Sequence, residues 1–376
     1  MKKIIIIITV IILGLGAYFG TKYLNQGTSS TTSNYEDDEL FSKYYKDASK
    51  TLEKLSLAEK IGQLFLVRYD KNLAEDYIND YYAGGFILFA KDFQNQDKES
   101  IKKELDNLKE LSNTPLMIAV DEEGGYVTRV SRYKAFREEK FKSPREYYEE
   151  GGEELLAKTE EEKANLLLSI GVNTNLAPVS DVSTSEDDFI NNRTFNRDAK
   201  ETSELVGKMV SYANKAGIAS CLKHFPGYGN NVDTHTGVAI DERSYENFVE
   251  NDYLPFESGI KNKVPMVLVS HNVVKAIDSK YPASLSLAVH KELRDKLDFS
   301  GIIITDDLAM DAVESYVEDG KAAVLAINAL NDMIITSDYK SMYNEVYDAV
   351  LDGTIKEEVI DKAVLRILAF KMAYKM

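Results

Sequence analysis

Eight short apolar runs rich in β-branched residues recur along this chain, at 64–67, 85–89, 116–120, 174–177, 219–222, 266–269, 301–304 and 333–336. Between most of them the apolar residues repeat at helical spacing, as in Leu205, Val206, Met209, Val210 and Ala213, or Ala322, Ala323, Leu325, Ala326 and Ala329. Strand, helix, strand, helix implies parallel pairing through right-handed crossovers. Continuous apolar strands suit a sheet covered on both faces. Eight such units in about 320 residues suit a single α/β domain closed as a (β/α)8 TIM-type barrel. An open doubly wound sheet is the alternative, but no Gly-x-Gly-x-x-Gly opens a helix after the first strands.

The flanks frame that barrel. Met1, Lys2 and Lys3 followed by an apolar run over 4–20 make residues 1–24 a signal peptide or an uncut membrane anchor. In either case the body is exported, extracellular or held at the cell surface, because Lys2 and Lys3 stay on the cytoplasmic side of an anchor. Residues 25–39, with their Ser and Thr, read as a flexible polar tether, and 40–376 as one catalytic barrel domain. Helical spacing over 40–57 and a capping box from Ser56 to Glu59 open the domain, and 355–374 reads as the closing helix.

Composition excludes some functions. With 45 basic against 62 acidic side chains the formal charge is -17, which repels phosphate backbones and argues against a nucleic-acid partner. The single cysteine, Cys221, rules out an internal disulfide framework and a multi-cysteine zinc site. It falls inside an apolar run and reads as a small buried hydrophobe.

A barrel of this kind places its chemistry at the C-terminal ends of the strands. There the chain puts Asp121, Glu122 and Glu123 before Gly124 and Gly125, then Lys223 and His224, Ser270 and His271, and Asp306 and Asp307. Of the four histidines, His290 falls in a charge-rich helical stretch and is expected at the surface. Asp306 directly follows a rigid apolar strand, as a nucleophile or charge stabiliser requires. Its neighbour Asp307 points the other way on an extended chain and is expected to cap or support the turn.

The loop after the fifth run breaks at Pro226, Gly227 and Gly229 and then brings Asp233 and His235. A carboxylate beside an imidazole fixes its tautomer and supports its charged form, so the two can form a proton-transfer pair; a solvated polar loop is the plainer alternative. Asp121 can accept from ligand hydroxyls, and Lys223 and His224 can position the same ligand or serve only in structural ion pairs. Arg193, in the long loop after the fourth run, can reach the site or remain solvated. His224, Asp233, His235, His271 and Asp306 are metal-ligand types, yet no metal-binding spacing joins them. No Gly-x-Ser-x-Gly elbow and no phosphate-binding Gly-rich loop occurs.

In order along the chain, Leu57 to Leu64, Ala83 to Ala90, Val120 to Gly125, Asn175 to Val179, Lys223 to Gly227 with Asp233 and His235, Ser270 with His271, and Thr305 to Met310 resemble glycoside hydrolase family 3. The likeness is to its bacterial NagZ-type β-N-acetylhexosaminidases. The resemblance implies an exo-acting retaining hydrolase that needs no cofactor and acts on a carbohydrate ending in N-acetylglucosamine, such as cell-wall fragments. It implies Asp306 as nucleophile and His235, assisted by Asp233, as acid/base, with Asp121, Arg129, Arg193, Lys223 and His224 holding the sugar. Two positions depart from the pattern: Tyr228 stands where the family usually has a second histidine, and Tyr126 where it has an arginine. The alternatives are a non-catalytic sugar- or wall-binding barrel, a metal-dependent hydrolase, and a family 3 glycosidase or phosphorylase of different sugar specificity.

Overall fold

The computed structural model describes residues 39–229, 239–310, 313, 316–317 and 321–376. The expected signal or anchor and nearly all of the tether lie outside the described residues, as do Asp233 and His235.

Eight parallel strands close a barrel: β1 (Phe65–Arg68), β2 (Gly85–Leu88), β3 (Met117–Val120), β4 (Thr174–Asn175), β5 (Ala219–Phe225), β7 (Met266–Val269), β9 (Ile302–Asp307) and β10 (Met333–Thr336). They neighbour one another in chain order, and β1 pairs with β10 to complete the ring. The short strands β6 (Ile240–Asp241) and β8 (Val273–Val274) pair separately outside it. Each of the eight apolar runs is thus a barrel strand, because a strand covered on both faces has no solvent side to mark with polar residues.

Three strands end two or more residues away from the ends of their apolar runs. β4 stops at Asn175, short of Pro178, whose lack of an N–H removes a ladder donor. β5 and β9 run on through Lys223, His224, Asp306 and Asp307, so these polar side chains sit in strands rather than in the loops after them. Both extended ends also carry a register shift, between Leu222 and Phe225 against β7 and opposite Met333 and Ile335 in the β9 pairing. Such irregularities re-aim side chains at barrel rims.

The helices follow from local signals. Ser56 and Glu59 form the expected reciprocal cap at the start of helix Leu57–Gln63. Helix Glu357–Ala373 closes the domain and packs on helix Ser42–Leu52, with the rings of Phe41 and Phe370 5.8 Å apart. Beneath the rim the lumen is filled by side chains such as Leu66, Cys221, Leu268, Ile304 and Ile335, all buried. Among the described residues no helix is long and apolar enough to cross a membrane.

Candidate active site

Period-2 alternation decides which strand-end side chains enter the lumen. Cys221 and Ile304 are buried in the core, and two residues beyond them stand Lys223 and Asp306. These two, with Asp121, Arg129, Arg193 and His224, line one cavity of about 290 Å³ at the C-terminal end of the barrel. Every described member of the expected site therefore meets in one place. The remaining two, Asp233 and His235, lie outside the described residues, in the segment that follows Gly229.

The polar wall is a shared-ion network. Lys223 Nζ donates to Asp121 Oδ1 and lies equally close to Glu123 Oε1, both at 2.7 Å. Arg193 binds Glu123 with two parallel hydrogen bonds, Nε to Oε2 at 3.0 Å and Nη2 to Oε1 at 2.7 Å. Burial alone would raise the Glu123 carboxyl, but the adjacent charges of Arg193 and Lys223 hold it well below the usual carboxylate range. Burial likewise opposes the charge on Lys223, and Asp121 and Glu123 overcome it, raising the ammonium above its ordinary value. Glu123 and Lys223 thus both keep their charge inside the wall.

His224 is fixed at three points. Its Nδ1 lies 2.8 Å from Asp181 Oδ2, and its Nε2 lies 3.3 Å from Arg193 Nη2. Arginine can only donate, so Nε2 accepts and Nδ1 carries the proton given to Asp181. The same carboxylate accepts from the backbone N–H groups of His224 at 3.1 Å and Tyr228 at 2.7 Å. The Tyr228 ring stands edge-on to the imidazole, with centroids 5.0 Å apart. Tyr228 therefore buttresses His224, whereas Tyr126 is 76% exposed at the surface.

On the β9 side, Asp306 is half-buried and its Oδ1 accepts the Asp307 N–H at 2.9 Å. Asp307 supports the turn, as expected: its Oδ1 accepts from Ala309 N at 3.0 Å and Ser337 N at 3.2 Å. Burial, with some contribution from the Asp306 charge, raises its carboxyl above the ordinary value. His271 is buried beside this turn, giving Nε2–H to the Asp307 carbonyl at 3.0 Å and accepting the Ser284 hydroxyl at Nδ1, 2.7 Å away.

Several functional positions escaped the sequence reading. Glu122 points away from the cavity and accepts the backbone N–H groups of Arg129 at 2.6 Å and Val130 at 2.7 Å, which folds the loop presenting Arg129. Glu123 is the ion that joins Arg193 to Lys223, and Asp181 the one that orients His224. Gly124, with φ of 101°, allows the turn that follows Glu123, since a Cβ there would stand 2.2 Å from the Lys142 carbonyl oxygen. Arg68, at the end of β1, also lines the cavity. One expectation is overturned: His290 is completely buried, with Nδ1 2.8 Å from the Ser286 carbonyl oxygen, because its helix face packs inward despite its charged neighbours. Cys221 is buried as expected, and burial raises its thiol, so it stays protonated. Among the described residues no three His, Cys, Asp or Glu side chains form a metal-binding group.

A (β/α)8 barrel whose C-terminal rim carries a strand-end carboxylate beside a network of paired ions is an arrangement that glycoside hydrolases also use. The chain matches the glycosyl hydrolase family 3 N-terminal domain over residues 56–370 and belongs to that family; it is a glycoside hydrolase acting on carbohydrate. It is 31% identical over 265 residues to a β-hexosaminidase of Methylobacillus flagellatus, covering 67% of this chain and 73% of that one. A β-hexosaminidase of Haemophilus influenzae is 31% identical over 280 residues, 71% of this chain and 76% of the relative. Among solved structures, a family 3 β-N-acetylglucosaminidase from a Paenibacillus species superposes with a TM-score of 0.79 at 28% identity. That match covers 85% of this chain but only 63% of the longer Paenibacillus chain.

Proposed function

We propose that this hydrolase releases terminal β-linked N-acetylhexosamine, chiefly N-acetylglucosamine, from cell-wall fragments or related glycans with retention at the anomeric carbon. One observation carries the reading: Asp306 stands on a rigid strand end in a single cavity whose opposite wall is the Asp121, Lys223, Glu123, Arg193 and His224 network. A volume near 290 Å³ lies at the lower end of the roughly 300–1,000 Å³ typical of ligand pockets, which suits one terminal sugar ring and hence exo action. The names of the relatives support the hexosamine specificity.

In the first step an Asp306 oxygen attacks the anomeric carbon as the bond to the leaving oxygen breaks, giving a glycosyl ester. The Asp307 N–H holds one carboxylate oxygen and so aims the group. Asp121, Lys223, Arg193, Arg129 and His224 orient the ring by hydrogen bonds to its hydroxyls. His235, with Asp233 steadying its imidazole, donates the proton to the leaving oxygen and then takes one from the attacking water, an assignment resting on sequence and family resemblance. We also propose that residues 1–24 export the body to the cell exterior; finding the native chain in the cytosol on fractionation would refute that.

Asp306→Ala should lower kcat on an aryl β-N-acetylglucosaminide by about 10⁴-fold or more while leaving Tm nearly unchanged. Near-normal turnover would sink the nucleophile assignment. His235→Ala should slow substrates with poor leaving groups far more than activated aryl glycosides. Equal losses on both would argue against the acid role.

A further inference from the structure

Arg68 lines the cavity but, among the described residues, takes no part in the ion network. It ends β1, its Cα pairing with that of Ile87, and its guanidinium carbon lies 3.9 Å from the centroid of the Phe89 ring. Among the described residues it makes no hydrogen bond and no ion pair, whereas Lys223 and Arg193 are matched by Asp121 and Glu123. Arg129 approaches the same ring at 5.3 Å and is also under-used: its Nη2 reaches Asp121 only at 3.8 Å, and its buried Nε has no partner. Two guanidinium groups thus share one phenyl ring with far more N–H donors than acceptors facing them.

A stacked guanidinium keeps its in-plane N–H fork available, the geometry that grips a carboxylate or phosphate with two parallel bonds. Neutral sugar hydroxyls can satisfy some of these donors but bring no negative charge against Arg68, which feels the Asp92 carboxylate without forming an ion pair with it. In a chain of formal charge -17, such a positive spot inside a cavity selects locally against the repulsion of the whole molecule. We propose that Arg68, with Arg129 beside it on Phe89, forms an oxyanion subsite adjoining the sugar pocket. It accepts a carboxylate or phosphate group, either borne by the substrate or free in solution. The subsite rests on the cavity being the sugar site proposed above, and Arg68 acts there as a specificity-determining residue.

The test compares wild type with Arg68→Gln and Arg68→Lys. Two aryl β-N-acetylglucosaminides of matched leaving-group pKa are used, one neutral and one with a carboxylate on the ring, and inorganic phosphate serves as the free anion. For a substrate-borne group, the acid-to-neutral ratio of kcat/KM falls at least 10-fold in Arg68→Gln and recovers in part in Arg68→Lys. For a free anion, that ratio is unchanged but phosphate binds at least 10-fold more weakly to Arg68→Gln, read by calorimetry. If neither the ratio nor phosphate binding distinguishes the folded variants from wild type, the subsite is refuted. Calorimetry needs no turnover, so Arg68-dependent phosphate binding in an enzyme inert toward both glycosides would overturn the substrate reading and leave the subsite standing.

Discussion

Each end of the barrel encloses a fully buried lysine, and the two have opposite surroundings. At the C-terminal rim Lys223 sits between Asp121 and Glu123, 2.7 Å from each, beside the cavity. At the N-terminal end Lys371, from the closing helix, gives its protons to the Gln63 side chain and the Gly84 carbonyl, both at 2.7 Å. The first lysine keeps its charge because two carboxylates outweigh burial; burial pushes the second down to about 7. The same N-terminal end places Asp332 between Arg294 and Arg366. Buried charge at the rim is matched and lines the cavity, while at the other end it ties the strand starts to the helices that seal the barrel.

Breaking the ion cluster at the sealed end should have the largest effect. Asp332→Asn removes the carboxylate charge that Arg294 and Arg366 share and weakens the bond it accepts from Ile303 N, 2.8 Å away. A loss of about 3–5 kcal/mol in urea-unfolding free energy is expected, with kcat unchanged where the variant is folded. Reduced kcat in fully folded protein would erase the distinction between the two ends. Next in size, Glu123→Gln at the rim should lower kcat/KM by about 10–100-fold, since Arg193 and Lys223 lose their common anion. It also has a pH signature. The folded Glu123 value lies below its ordinary 4.5, so its contribution to stability is present above that pH and is lost as pH falls toward the folded value. Wild type should therefore lose more stability than Glu123→Gln in that acid window, and parallel acid unfolding of the two would refute the pairing.

The barrel was legible because parallel strands are written as apolar runs, and strand ends are where such runs stop. Asp306, Lys223 and His224 stood out for the same reason, as polar residues attached to those ends. What could not be read depends on facing and on distance. Glu122 and Glu123 are adjacent acids, and only the fold shows that one folds the loop while the other enters the rim network. Asp181 orients His224 from 43 residues away, a pairing that no local pattern encodes. Arg68 reads as an ordinary charged strand terminus until Phe89 and the cavity are placed beside it. His290 misleads because a charge-rich helical stretch suggests exposure, although a helix exposes one face and buries another.

The smallest effect concerns Lys371, where the comparison can be sharpened without touching activity. The unfolded chain holds this proton up to about 10.5 and the folded one releases it near 7, so across that window the unfolded state binds more protons. Its contribution to stability therefore rises with pH between those values and is flat below them. Lys371→Met removes the titration but takes the ammonium donor from the Gln63 side chain and the Gly84 carbonyl, the latter keeping only the Met117 N–H, so the two changes oppose each other at pH 7. Only the slope separates them. Measured by urea unfolding at pH 7 and pH 9.5, wild type should gain on the variant by no more than about 1.4 kcal/mol per pH unit. Lys223 has no such slope to lose, because its carboxylates raise its value rather than lower it. If wild type and Lys371→Met kept a constant difference across this range, Lys371 would be charged in the folded state at both pH values, and the contrast between the two lysines would vanish.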